Sequence, residues 1–245
     1  MARIDDALAE ALRLLPPKPA DTSTQSQKKA YSEKVSAAVA LALADELRRR
    51  GLNGARPAGQ GELDDESGAE RRMAGGLGAK KVDITWATEP SGLLLGISVK
   101  TINFRDTRTR NFQKNLVNRR GDMLMEAVTL HRRFPYAVLC GLFFLDKDAA
   151  KDGTSKRKST FLNAHQRLRL FTDRSDPAGR EEQFERFYLL LLDANPRSAE
   201  VKGYRVGDPN EELSMSNILD DLLILVAERN SDFYEFDSGN LKRVT

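Results

Sequence analysis

At 245 residues, with 40% hydrophobic residues and a formal net charge of +3, the chain can bury a sizeable core as one large domain or a domain with an appendage. Its charge is too mild to announce a nucleic-acid partner by itself. No apolar run approaches the ~20 residues of a membrane span, no signal peptide opens the sequence, and the single cysteine, Cys140, cannot form an internal disulfide. A cytoplasmic protein without a membrane partner is the expectation.

In chain order, residues 2–15 pattern as a short amphipathic helix halted by Pro16-Pro17, and the Pro/Thr/Ser/Gln stretch to Gln27 reads as a linker. A long helix is predicted from Lys28 to Arg50. Val35, Ala38, Val39, Ala42 and Leu43 form its apolar face, Arg48, Arg49 and Arg50 suit the dipole of its last turn, and Gly51 ends it. Glycines and the acidic run Glu62 to Glu66 make 51–78 a loop, with one short strand around Glu70 to Met73. The stretch Gly75 to Lys80 superficially suggests a phosphate loop. It lacks the Lys-Ser/Thr ending and leads into a strand, so it reads as a turn.

Lys80 to Trp86 and Leu93 to Lys100 are rich in branched and apolar residues, and Glu89-Pro90-Ser91-Gly92 between them is turn chemistry, which predicts a β-hairpin. Alternation puts Ser98 and Lys100 on one face of the second strand and Val99 on the other. A second long helix is predicted from Thr109 to Phe134, closed by Pro135, with the stripe Phe112, Leu116, Met123, Ala127 and Leu130. Tyr136 to Leu145 is a continuous apolar strand of the kind covered on both faces. A charged loop (147–158), a helix (160–171), a strand (184–192) and a helix (218–227, capped near Ser216) complete the chain. There is no internal repeat. This order describes an α/β domain with a mixed sheet, divided as 1–27 (helix and linker), 28–145 (core) and 146–245 (an extension completing the same domain).

The chemistry narrows by exclusion. Two histidines, His131 and His165, and one cysteine leave no basis for a zinc cluster, and no G-x-S-x-G elbow supports a serine triad. What remains is an acid, Asp83, facing a lysine, Lys100, across a strand pair. Such a pair is costly on an apolar scaffold unless the charges serve each other or a metal. A hard cation takes carboxylate, carbonyl and water ligands, neutralises phosphate charge and activates water for in-line attack. Asp83 and the Val99 carbonyl are the expected ligands, with Lys100 placing the water or stabilising developing negative charge.

With these residues the chain resembles the PD-(D/E)xK, or restriction-endonuclease-like, nuclease superfamily over about residues 28–145. Asp83 stands for the first acid, Lys100 for the lysine, and Ser98 of Ser98-Val99-Lys100 occupies the place usually held by Asp or Glu. The resemblance implies a core of helix, strands, helix and strand, Mg2+ (or Mn2+) as cofactor, double-stranded DNA as partner, and a bacterial restriction or anti-phage role. It also implies a homodimer or a subunit of a defence complex, with the apolar helix 218–227 as a dimer or core element. A hydroxyl is a far weaker magnesium ligand than a carboxylate. In some members with S-V-K the missing acid comes from the following helix, whose first turns carry no carboxylate here. Asp122 and Glu126 come two turns or more later, which leaves Glu70 and Glu33 as the supporting carboxylates, Glu70 also as a metal ligand.

After the lysine strand come Arg105, Asp106, Arg108, Arg110, Lys114 and Arg119, the predicted DNA-binding set. Arginine is suited to bidentate contacts with guanine, and Arg105, Asp106 and Arg108 are similar to the Arg-acid-Arg cluster of enzymes that read CCGG-type sites. Each feature has an ordinary reading beside the functional one. Asp83 and Lys100 form a plain cross-strand ion pair, the arginines a solvated loop, and Asp122, Glu126, Arg119 and Arg133 a surface charge network along one helix face. His165, with Arg167 and Arg169, is at most a minor phosphate contact, and Trp86 belongs to the core. The alternative function is a nuclease fold retained for DNA binding or complex assembly with cleavage lost.

Overall fold

The structure, a computed structural model, describes residues 3–59 and 70–244; the acidic run Glu62 to Glu66 lies outside them. Helix α1 (Arg3–Arg13) buries Ile4, Leu8 and Leu12, one residue per turn. Helix α2 (Gln25–Arg49) starts three residues before the predicted Lys28 because Thr24 and Gln27 form a capping box. The Gln27 N–H donates to Thr24 Oγ1 (3.3 Å) and the Thr24 N–H to Gln27 Oε1 (3.1 Å).

The predicted strand from Lys80 to Trp86 is two strands. β1 (Arg72–Gly75) and β2 (Gly78–Lys81) form a separate hairpin, and after Val82 and Asp83 the chain enters the main sheet as β3 (Ile84–Thr88). β4 (Gly92–Ile102) returns antiparallel to β3, as predicted. Residues 103–112 are loop, so the helix expected from Thr109 does not begin there. The Asp106 carboxylate accepts the N–H groups of Arg108 and Thr109, Asp152 accepts that of Phe112, and Arg110 stands at φ 51°. A single 3-10 turn (Gln113–Asn115) then leads into α3 (Leu116–His131).

β5 (Val138–Asp146) runs parallel to β4. Helix α4 (Thr160–Leu168) follows, and β6 (Arg186–Asp193) runs parallel to β5. β7 (Glu200–Arg205) and β8 (Glu212–Leu213) add antiparallel to the far edge. Helix α5 (Met215–Arg229) is capped by Ser214, two residues before the predicted cap, through the Asn217 N–H (3.1 Å). β9 (Tyr234–Asp237) and β10 (Asn240–Arg243) form a final hairpin.

The six-stranded mixed sheet has the order β3-β4-β5-β6-β7-β8. One face is covered by α1, α2 and α5, which bury Val35, Leu43, Leu219 and Leu222 against Ile97, Val99, Cys140 and Leu142. The other is covered by α3, α4 and the β1–β2 hairpin around Phe112, Leu116, Phe143, Phe161 and Phe187. Helices on both faces explain why the parallel strands read as unbroken apolar runs. Among the described residues no helix is long and apolar enough to cross a membrane.

Candidate active site

β3 stops pairing with β4 at Ile84↔Ile97, whereas β4 continues beside β5 to Ile102↔Leu145. The outer edge of β4 is therefore uncovered from Ser98 onward, and Asp83, the residue before β3, closes it with a side chain. Asp83 Oδ2 accepts the Val99 N–H at 2.7 Å and a hydrogen bond from Lys100 Nζ at 3.2 Å. In a strand the N–H and C=O of one residue point to the same edge, so the Val99 carbonyl faces this opening as well.

Alternation sends Ser98 and Lys100 toward α3 and Val99 into the opposite core, as predicted. On α3, Glu126 lies on the buried stripe with Met123, Ala127 and Leu130. Its Oε2 accepts a hydrogen bond from Ser98 Oγ (3.1 Å) and lies 3.5 Å from Lys100 Nζ. Asp83 and Glu126 thus flank one ammonium. The sequence places the α3 carboxylates two turns or more into the helix, yet Glu126 reaches Ser98 and Lys100. β4 and α3 cross here, which brings a residue three turns into the helix over the serine. Nor is Glu126 part of a surface network, its side chain being only 7% exposed.

Burial raises the Glu126 pKa, and nearby Asp83 adds to this; Lys100 and the Ser98 hydroxyl pull the other way without cancelling it. Burial also works against charge on Lys100, but Glu126 and Asp83 outweigh it and hold the ammonium above its ordinary range. Glu126 Oε1 is buried without a hydrogen-bond partner among the described residues. Lys100 and Glu126 form part of the wall of an open cleft of about 740 Å³ between α3 and the β1–β2 hairpin, which contributes Lys80 and Lys81.

The other predicted residues are placed differently. Glu70 pairs with Lys81, at the margin of the cleft, and makes no hydrogen bond or ion pair with Asp83 or Lys100. Glu33 is exposed on α2, in the helical layer on the opposite face of the sheet, 3.8 Å from Lys29. Arg105 is tied to Asp148 (2.8 Å) and lies over the Phe112 ring, and Asp106 is occupied by Lys114 (2.6 Å) and its own loop. The Lys114 hydrogen bond, with the Thr109 N–H, keeps the Asp106 carboxyl far below its usual range. Arg108 and Arg110 are exposed, and Arg119 lies 3.9 Å from Asp122. His165 is no phosphate contact: it is buried against Phe161, and its Nδ1 accepts the Gly207 N–H at 3.1 Å. Trp86 is core, its Nε1–H donating to Asn53 O.

Sequence reasoning missed Glu126, Lys80 and Lys81 as site residues. Glu126 had a signal: it falls three residues after Met123 and four before Leu130, on the apolar stripe, where a carboxylate must find a partner.

Among the described residues no group of three or more His, Cys, Asp or Glu side chains is placed to hold a metal. The donors available to a hard cation are the Asp83 and Glu126 carboxylates and the Val99 carbonyl. The buried, unpartnered Glu126 Oε1 fits that use, with water and phosphate completing the shell. Comparison with protein-family models, curated proteins and solved structures finds no match to this chain.

Proposed function

We propose that the protein is a metal-dependent DNA endonuclease with a restriction-endonuclease-like core, hydrolysing phosphodiester bonds in restriction or anti-phage defence. The observation that carries this reading is Lys100 held between Asp83 and Glu126 in the wall of a lysine-lined cleft. In that reading Glu126 takes the part of the acid absent at Ser98, and the Ser98 hydroxyl holds its carboxylate in place.

Asp83, Glu126 and the Val99 carbonyl are the residues to hold Mg2+ or Mn2+, which when bound neutralises phosphate charge and lowers the pKa of a coordinated water. Asp83 is fixed at the β4 edge by the Val99 N–H, so its carboxylate is positioned before substrate arrives. Lys100, kept protonated by its two carboxylates, donates hydrogen bonds toward the attacking water or the phosphoryl oxygens as negative charge grows. Lys80 and Lys81 attract the phosphate backbone, a term that weakens with salt. Two copies acting together would cut both strands.

A DNA-binding module without cleavage is the second reading. It is favoured by the absence of a third carboxylate beside Asp83 and Glu126 among the described residues. Plasmid cleavage with Mg2+ or Mn2+ separates the two. The wild type is expected to cut, and Asp83→Ala, Lys100→Ala and Glu126→Gln each to lose at least about 100-fold in rate, as loss of a group that stabilises transition-state charge does. Binding without cutting under either ion moves the assignment to the module.

A further inference from the structure

Gly121 lies inside α3, six residues into a sixteen-residue helix, and is the only glycine within a helix among the described residues. Apart from proline, glycine is the least favourable residue in a helix interior. Two internal reasons commonly keep one there, and neither applies. Its φ is not in the left-handed region, and a Cβ built on it meets nothing within 4 Å. The contrast with Gly75 and Gly141 is direct. An added Cβ would come within 2.4 Å of Thr129 O at Gly75 and within 2.8 Å of the Phe187 ring at Gly141.

The open space above Gly121 belongs to the cleft that also holds Lys80, Lys100 and Glu126. Val117, one turn before, and Met125, one turn after, share its face and stand 49% and 44% exposed. An apolar stripe with a gap in its centre, facing a lysine, matches the C–H surface of a sugar with its phosphate turned outward. Lys80 has no ion pair among the described residues, and Asp122, the nearby acid, lies 3.9 Å from Arg119.

We propose that Gly121 is the seat of the DNA strand on α3, the one point where the sugar–phosphate backbone lies directly on the helix, between Val117 and Met125 and opposite Lys80. This deepens the nuclease reading and rests on it for the identity of the ligand. Gly121 does no chemistry. It lets the strand approach the helix backbone and so sets the depth at which the strand lies beside Lys100.

The full chain is tested as wild type, Gly121→Ala and Gly121→Leu, by thermal melting and by anisotropy of a fluorescein-labelled duplex with Ca2+ in place of Mg2+. Stability and binding are expected to move in opposite directions. The alanine variant should melt about 2–4 °C higher and bind more weakly, and the leucine variant should lose at least about tenfold in affinity. Wild-type affinity in a folded Gly121→Leu protein overturns the proposal and leaves the nuclease reading intact. Loss of binding in the leucine variant, beside a wild type that binds but never cuts, supports the seat and overturns the nuclease reading. If the leucine variant does not fold, undiminished affinity in Gly121→Ala overturns the proposal.

Discussion

Glu126 is a carboxylate placed where helix periodicity keeps other residues apolar, and its cost depends on pH. Burial lifts its folded-state pKa above the ordinary glutamate value of about 4.3. Below about pH 4.3 both folded and unfolded chains hold the proton. As pH rises the unfolded chain releases it first, so Glu126 lowers stability through that window and by its full amount above the folded pKa. Glu126→Gln removes the titration while keeping the shape. The melting temperature of the variant relative to wild type is expected to climb from about pH 4.3 toward neutrality; a flat difference would show that Glu126 is not held above its ordinary range. The Asp83–Lys100 half of this site was legible because turn chemistry folds β4 back on β3 and so brings the start of one beside the end of the other. The Glu126 half depends on where α3 crosses β4, a tertiary relation that no local pattern encodes. The sequence favours Glu70 and Glu33 over Glu126 because a solvated carboxylate and a ligand are the same letter.

The β1–β2 hairpin is the element that makes a cleft out of a sheet face, since it carries Lys80 and Lys81 opposite α3. Met73 packs into the core beneath α3, and the hairpin turn is pinned to that helix: the Gly76 N–H donates to Thr129 O at 2.8 Å, and Gly75 packs so closely that a Cβ would lie 2.4 Å from that same oxygen. Gly75→Ala must push the hairpin away from α3. Overpacking of this kind costs about 1–3 kcal/mol, and the displaced lysines should weaken duplex binding as well. Urea titration and anisotropy on the one variant check both; unchanged affinity would mean that the hairpin does not face the nucleic acid. Elements of this sort are where sequence reading faltered. Lys80 to Trp86 is continuous in composition, yet the chain changes partners at Val82 and Asp83, leaving one hairpin to join the main sheet. The helix expected from Thr109 starts late because Asp106 and Asp152 capture the N–H groups of Thr109 and Phe112 that its first turn would present. By contrast α1 and α5 followed from apolar patterning and β5 from an unbroken apolar run, because the first two bury one face and β5 both, whatever the arrangement of their neighbours.

At the scale of the molecule, one buried anion joins both helical layers to the sheet. Glu185, before β6, accepts the Leu139 N–H (2.7 Å) and hydrogen bonds from Arg174 (2.8 Å) and Arg229 (2.7 Å), and its Oε2 lies 3.2 Å from His131 Nε2. These partners belong to the start of β5, the segment after α4, the end of α5 and the end of α3. Burial alone would raise the Glu185 pKa, but His131, Arg229 and the Leu139 N–H together hold it below its ordinary range, so it is ionised at neutral pH. Glu185→Gln keeps the size and removes the charge, leaving two largely buried guanidiniums against a neutral amide. Breaking such a cluster by removing one partner costs about 3–5 kcal/mol. Because the cluster touches both layers, that loss should fall on the whole chain, with no element melting apart. Trp86, the single tryptophan, reports the β3 edge and its contact with Tyr234, while far-ultraviolet dichroism reports all the helices. Urea curves from the two probes should coincide in wild type and shift together to lower midpoint in Glu185→Gln. If only the dichroism curve moved, the Glu185 cluster would be holding the helices without the sheet edge, and β3 and β4 would unfold independently of it.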